Sequence, residues 1–344
     1  MRAIVYRSTG DPSVLEAVDR EVPTPGPGEV RVQVVVSAVN PTDWKSRAGT
    51  GAGGALPFDE VVPNQDGAGI VDALGEGVTD LAVGDRVWTY LSAHQRPTGT
   101  AQEFTVLPAE RVVKLPDNAT FDQGASMGVP AMTAHRALTV SEFGPSRLHP
   151  GALTGKTVLV AGGAGAVGHA AIQLARWAGA TVITTLSSDA KAALATAAGA
   201  HHTINYRDAG AADRIREIAP DGVDLIVEVS PAANAALNLE VAANHASIAV
   251  YANNGGDEVG LAIVPHFVKN IRYQFLLLYT VGQEALSAAA EDVTAALIDG
   301  VLPVGDDAGL PLTRFPLERT ADAHAAVEND TVGKVLIDVG APVS

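Results

Sequence analysis

The fold is decided by Thr157-Val158-Leu159-Val160-Ala161 and, just beyond it, Gly163-Ala164-Gly165-Ala166-Val167-Gly168. The second stretch satisfies G-x-G-x-x-G, a weak pattern by itself in a chain with 35 glycines. Its surroundings make it strong. A short apolar strand leads into it, and an amphipathic helix, Val167–Ala178, leads out, which is the strand–turn–helix that cradles a dinucleotide pyrophosphate. Gly163 is expected to permit the tight turn, Gly165 to let the backbone approach the phosphates, and Gly168 to let helix and strand pack closely. Ala164, Ala166 and Val167 complete the loop. The opening turn of the helix offers free N–H groups and the positive end of its dipole.

The same alternation continues outward. Thr181–Leu186 reads as a strand, Asp189–Ala198 as a helix, and Val223–Val229 and Ser247–Tyr251 as further strands. Such alternation implies right-handed crossovers and a doubly wound parallel sheet, the α/β Rossmann arrangement. The end of the second strand bears on the cofactor. A site for NAD usually places Asp or Glu about 20 residues past the glycines, to accept from the ribose 2′-hydroxyl. Here the strand ends Thr184-Thr185-Leu186-Ser187-Ser188, with no carboxylate at Leu186. Ser187, Ser188 and Lys191 suit a 2′-phosphate instead, and Tyr206 adds a hydroxyl after a third strand candidate. NADPH is therefore expected over NADH, with Asp189 as the residue that argues the other way.

On either side the character changes. Val30–Val36 alternates like a half-buried strand, and Gly69–Leu74, Arg86–Tyr90, Ala101–Leu107 and Val112–Lys114 are further short strands between glycine and proline turns. Residues 122–140 look helical. Strand character returns near the end, most clearly at Lys334–Val339. The expected plan is a mainly-β domain split between residues 1–126 and 278–344, with the α/β unit 127–277 inserted into it.

Composition narrows the partners. The 344 residues are 47% hydrophobic and 18% charged, with a formal net charge of -16. That acidity disfavours nucleic acid and polybasic membrane attachment. No cysteine is present, so disulfides, thiolate nucleophiles and cysteine-ligated zinc are all excluded. The first residues enter strand-like sequence without a signal-peptide pattern, and Tyr273–Val281 is too short to span a bilayer. A soluble cytoplasmic protein without membrane contact is the expectation.

The chain resembles the medium-chain dehydrogenase/reductase superfamily, specifically the quinone oxidoreductases related to ζ-crystallin. The resemblance spans essentially the whole sequence. It is carried in order by Val39-Asn40-Pro41-Thr42-Asp43, Pro63-Asn64-Gln65-Asp66-Gly67-Ala68-Gly69, Gly84-Asp85-Arg86-Val87, and Gly128 through Leu138. The glycine loop and Gly333-Lys334-Val335 complete it. It implies a GroES-like domain enclosing the Rossmann domain, a nicotinamide-binding cleft between them, and homodimers joined edge to edge through the Rossmann sheets. Relatives that use zinc ligate it with Cys and His. The matching positions here are Asn40 and Gln65, poor zinc ligands, so no metal is expected.

Without a metal, a quinone or another activated carbonyl is the acceptor that needs least help, because its electron-poor π system takes hydride directly. Asn40 is the candidate catalytic residue, its amide donating to a developing oxyanion or to the nicotinamide ribose; a turn-forming asparagine before Pro41 is the alternative. The resemblance further implies that Thr133, Tyr251, Ala252, Phe275, Leu276 and Lys334 line the cofactor site. Packing or surface roles for each stay open. The stretch Trp44–Gly54 has many glycines and lacks the tyrosine that many relatives carry near the substrate mouth, and it reads as a lid or a permissive loop. Two other functions remain: reduction of α,β-unsaturated aldehydes, ketones or enoyl thioesters, and nucleotide binding in a structural or regulatory protein with little turnover.

Overall fold

A computed structural model describes residues 1–51, 56 and 58–340. The chain forms two compact units, residues 1–129 with 311–344 and residues 130–310. The first unit opens with the hairpin β1 (Arg2–Val5) and β2 (Glu16–Asp19). It continues through the long β3 (Glu29–Val39), then α1 (Pro41–Ala48), β4 (Asp66–Leu74), β5 (Arg86–Thr89), β6 (Phe104–Pro108) and β7 (Val112–Lys114). Strand β3 is the spine, because it pairs with both β4 and β6. Its valines Val30 and Val32 pack with Val71, Val87 and Leu107, while Val34 and Val39 face a second core with Ile4, Val62 and Ile337.

Helix α1 corrects the expectation of a loop from Trp44 onward. Asn40 sits in an extended conformation as the N-cap, Pro41 fixes the first turn, and the Asp43 carboxylate accepts the Asn40 backbone N–H at 2.7 Å. These are start signals strong enough to nucleate an eight-residue helix that has little apolar face. Gly49, left-handed at φ 78°, ends it. The glycines of the supposed lid at 53 and 54 lie outside the described residues.

The chain crosses into the second unit within α2 (Phe121–Leu138). There follow β8 (Thr157–Ala161), α3 (Ala166–Trp177), β9 (Thr181–Leu186), α4 (Asp189–Ala197), β10 (His202–Asn205), α5 (Ala211–Ile218), β11 (Val223–Glu228), α6 (Pro231–Val241), β12 (Ala242–Val250), α7 (Ile263–Val268), β13 (Arg272–Phe275) and α8 (Gln283–Ile298). The six strands are parallel in the order β10-β9-β8-β11-β12-β13. That is the doubly wound Rossmann order, whose direction of winding reverses between β8 and β11. The strands are buried on both faces and correspondingly apolar: Val158, Leu159, Val160, Val182, Ile183, Ile226 and Ile248 are all within 1% of complete burial. Among the described residues no helix is long and apolar enough to cross a membrane. The chain then returns to the first unit through β14 (Leu312–Pro316), α9 (Thr320–Glu328) and β15 (Lys334–Asp338), which pairs antiparallel with β3.

Residues 278–310 thus pack with the α/β unit rather than with the mainly-β one. Asp292 of α8 shows why. His135 Nε2 donates to its carboxylate at 2.7 Å, the Leu148 N–H at 2.6 Å, and Arg147 through both Nε at 2.9 Å and a terminal nitrogen at 2.6 Å. Burial opposes the charge of Asp292, but these donors outweigh it and hold its pKa down at about 2. Because the folded value lies below the ordinary 3.8, the stabilisation is complete above that pH and is lost as pH falls toward about 2. Asp292→Asn is expected to lower the thermal midpoint at neutral pH by roughly 5 °C. It should also flatten the loss of stability between pH 4 and 2, a region scanned by calorimetry.

Candidate functional site

At the carboxyl end of β8 the backbone turns sharply into α3. The left-handed residue is Gly162, at φ 74°, not Gly163 as the motif alone suggests. Gly163 is required for packing, since a Cβ there would lie 2.2 Å from Thr184 Oγ1 and 2.7 Å from Ile172 Cδ1. Gly168 is equally crowded, its Cβ meeting the Gly162 carbonyl oxygen at 2.4 Å. Gly165 differs. A Cβ there meets nothing nearer than 3.5 Å, and the residue is exposed. The protein's own packing does not demand a glycine at 165. The N–H groups that follow, Ala166 and Val167, stand in the first turn of α3, where no intrahelical acceptor exists.

His169, one turn in, is buried and donates from Nε2 to the Ala308 carbonyl at 2.8 Å. Burial pushes its pKa down to about 4, so the helix start carries no opposing imidazolium charge at neutral pH. Ser187 and Ser188 follow β9 directly, and Ser188 caps α4 by accepting the Lys191 N–H at 3.4 Å. Tyr206 is brought to the same edge because its N–H donates to the Leu186 carbonyl at 3.0 Å. It is 49% exposed, leaving the phenol accessible. Asp189, the contrary residue, lies exposed in the first turn of α4.

The other expected cofactor residues are more scattered. Tyr251 and Ala252 are the first two residues past the end of β12 and are half-buried. Burial and the Glu228 carboxylate push the Tyr251 phenol upward in pKa. Phe275 is 58% exposed on edge strand β13, whereas Leu276 is buried, its N–H donating to Val250. Thr133 is buried on α2. One residue was missed. Glu228 at the end of β11 is fully buried and accepts from the Ser230 N–H at 2.5 Å, Asn234 at 2.9 Å and Asn238 at 2.6 Å. It pins the start of α6 at the reversal of the sheet. The signal was available, since two asparagines four apart share a helix face.

In the mainly-β unit, Asn40 is 2% exposed and its amide is engaged at both ends. Lys334 Nζ donates to Oδ1 at 2.5 Å, and Nδ2 donates to Asp66 at 2.7 Å. Asp66 also accepts the Val129 N–H at 2.9 Å, an approach possible only because Gly128 has no side chain: a Cβ there would lie 2.1 Å from Asp66 Oδ1. Asp43 accepts from the Asn40 and Gln65 N–H groups. Burial raises the pKa of both carboxylates, with the Asp66 charge adding to the rise at Asp43, and burial lowers that of Lys334. Lys334 is thus an inward ion, not a surface charge. Gln65 turns its Oε1 to the Ala93 N–H at 3.1 Å.

Residues 26–117 match the alcohol dehydrogenase GroES-like domain family, and residues 166–295 the zinc-binding dehydrogenase family. The quinone oxidoreductase of Rattus norvegicus is 31% identical over 346 residues, covering 98% of this chain and 97% of its own. The chain belongs to the quinone oxidoreductase family of the medium-chain dehydrogenases/reductases. Family membership makes it an oxidoreductase, with a GroES-like domain and a Rossmann domain. A 2-haloacrylate reductase from a Burkholderia species is 35% identical over 232 residues, 66% of each chain. Of the solved structures, an NAD-dependent alcohol dehydrogenase aligns at TM-score 0.84 with 29% identity, over 99% of this chain and 100% of its own. A mycobacterial protein complexed with NADPH aligns at 0.80 with 30% identity, over 98% and 99%.

The two glycines of this family's loop should separate under substitution. Gly168→Ala must displace backbone and is expected to cost several degrees of thermal midpoint. Gly165→Ala should leave the midpoint within a degree or two while weakening nicotinamide-nucleotide affinity about tenfold, as read by fluorescence titration.

Proposed function

We propose that this protein is an NADPH-dependent reductase that passes hydride to a quinone without a catalytic metal. The observation that carries the reading is the open, exposed face of Gly165 at the start of α3, on the β8 side of the sheet's reversal, where ligands bind open α/β sheets. Gly163, Ala164, Gly165, Ala166, Val167 and Gly168 would hold the pyrophosphate. Ser187, Ser188, Lys191 and Tyr206 would hold the 2′-phosphate, and Thr133, Tyr251, Ala252, Phe275 and Leu276 the remaining length.

NADPH, when bound, supplies the hydride. The chain's task is orientation and electrostatics. The α3 amides fix the phosphates, and the hydroxyls of Ser187, Ser188 and Tyr206 with the Lys191 ammonium distinguish a 2′-phosphate from a 2′-hydroxyl. Asn40, with one amide hydrogen beyond the one given to Asp66, is the donor proposed for a developing oxyanion. Metal independence is supported by the donors at the two positions where zinc-using relatives place Cys and His. The oxygen of Asn40 already accepts from Lys334, and that of Gln65 from Ala93. An enone acceptor is the second reading, favoured by the similarity to 2-haloacrylate reductase.

A cytoplasmic homodimer is also proposed. Its support is the edge strand β13 and the adjoining α7, where Ile263, Val264, Phe267 and Val268 are each at least 60% exposed.

Initial rates with NADPH and NADH against benzoquinone, naphthoquinones and alkenals test the reading. Quinone-dependent oxidation preferring NADPH and surviving chelation is expected; turnover of alkenals alone would move the assignment to the enone reading. Lys191→Ala should raise the Kd for NADPH about tenfold and leave that for NADH little changed. Equal effects on both would remove Lys191 from the phosphate pocket.

A further inference from the structure

A primary amide has two ends of opposite polarity and nearly the same shape, so only its neighbours decide which way it points. For Asn40 the neighbours are charged. The ammonium of Lys334 lies 2.5 Å from Oδ1, and a carboxylate oxygen of Asp66 lies 2.7 Å from Nδ2. Reversing the amide would set its NH2 against the ammonium and its oxygen against the carboxylate, two repulsive contacts in a buried place. Both neighbours are themselves held. Lys334 Nζ also donates to the Val39 carbonyl at 3.3 Å, and it begins β15, whose next residue is registered against Val39. Asp66 is fixed by the Val129 N–H and by its place at the start of β4.

We propose that Lys334 and Asp66 are positioning residues that lock the Asn40 amide with its oxygen turned to the ammonium, leaving one N–H to offer a ligand. Such a site selects an oxygen that accepts a hydrogen bond. It is polarised for a carbonyl becoming an oxyanion, and mismatched to an alcohol that must donate its proton. Lys334 strengthens the polarity further, because a cation on the amide oxygen makes the N–H a better donor. The inference rests on the proposed role of Asn40 and deepens it. It assigns the charged pair a role in acceptor choice, apart from any direct contact with cofactor.

The test is the double variant Lys334→Met/Asp66→Asn beside Asn40→Ala. The double variant removes one charge of each sign, so the buried cluster keeps its net charge while the amide loses its bias. Expected are a thermal midpoint within a few degrees of wild type, a KM for NADPH within about threefold, and a quinone kcat lowered at least about tenfold. Lys334→Arg, which retains the cation, should keep most of the kcat. If Asn40→Ala abolishes turnover while the double variant retains it, Asn40 acts but is not held by this pair, and the inference is overturned. If Asn40→Ala itself retains full turnover, the reading beneath it fails. Should the double variant not fold, Lys334→Met and Asp66→Asn are read singly, each removing one of the two charged neighbours: a lowered quinone kcat with the KM for NADPH held is expected of both, and full kcat in both would overturn the inference.

Discussion

The closeness of β8 and α3 is the constraint on which the α/β unit depends. Gly163 is pressed between Thr184 and Ile172, and Gly168 against the carbonyl of Gly162. No side chain fits at either point, so the helix starts almost on top of the strand's end. That proximity delivers the first-turn amides of α3 to the carboxyl edge of the sheet, at the place where its winding reverses. Gly165 is different: the protein's packing would let it be larger, and its open face is where the proposed nucleotide would approach.

A different principle organises the mainly-β unit. Four polar residues, Asn40 at the junction of β3 and α1, Asp43 in α1, Asp66 in β4 and Lys334 in β15, meet where burial makes isolated charge expensive. They tolerate it by mutual satisfaction: cation to amide oxygen, amide to carboxylate, carboxylates to backbone N–H groups. Removing one member would leave another unpaired, which ties β3, α1, β4 and β15 into one arrangement. A buried network of this kind holds directional groups more rigidly than apolar packing would.

Much of this was legible in the sequence. The parallel sheet follows from Thr157–Ala161, Thr181–Leu186 and Val223 onward, because fully buried strands must be short, apolar and punctuated by helices. The edge proposed for the nucleotide could be named from sequence because its residues are neighbours there: a glycine run, a pair of serines and a lysine one turn later. What was not legible depended on distant residues. Helix α1 has little apolar periodicity, and only its cap, Asn40-Pro41 with Asp43, marks it. The left-handed turn at Gly162 is invisible to a pattern that begins at Gly163. Residues 278–310 pack with the α/β unit through contacts such as Asp292 with His135, 157 positions apart. The inward course of Lys334 had one hint, a lysine opening an otherwise apolar strand.

The most direct test is a crystal structure of this chain grown with NADPH, in which pyrophosphate oxygens are expected within hydrogen-bonding distance of the N–H groups that open α3, over Gly165, and the 2′-phosphate beside Ser188 and Lys191. Nucleotide bound at any other face, or none at saturating concentration, would contradict it.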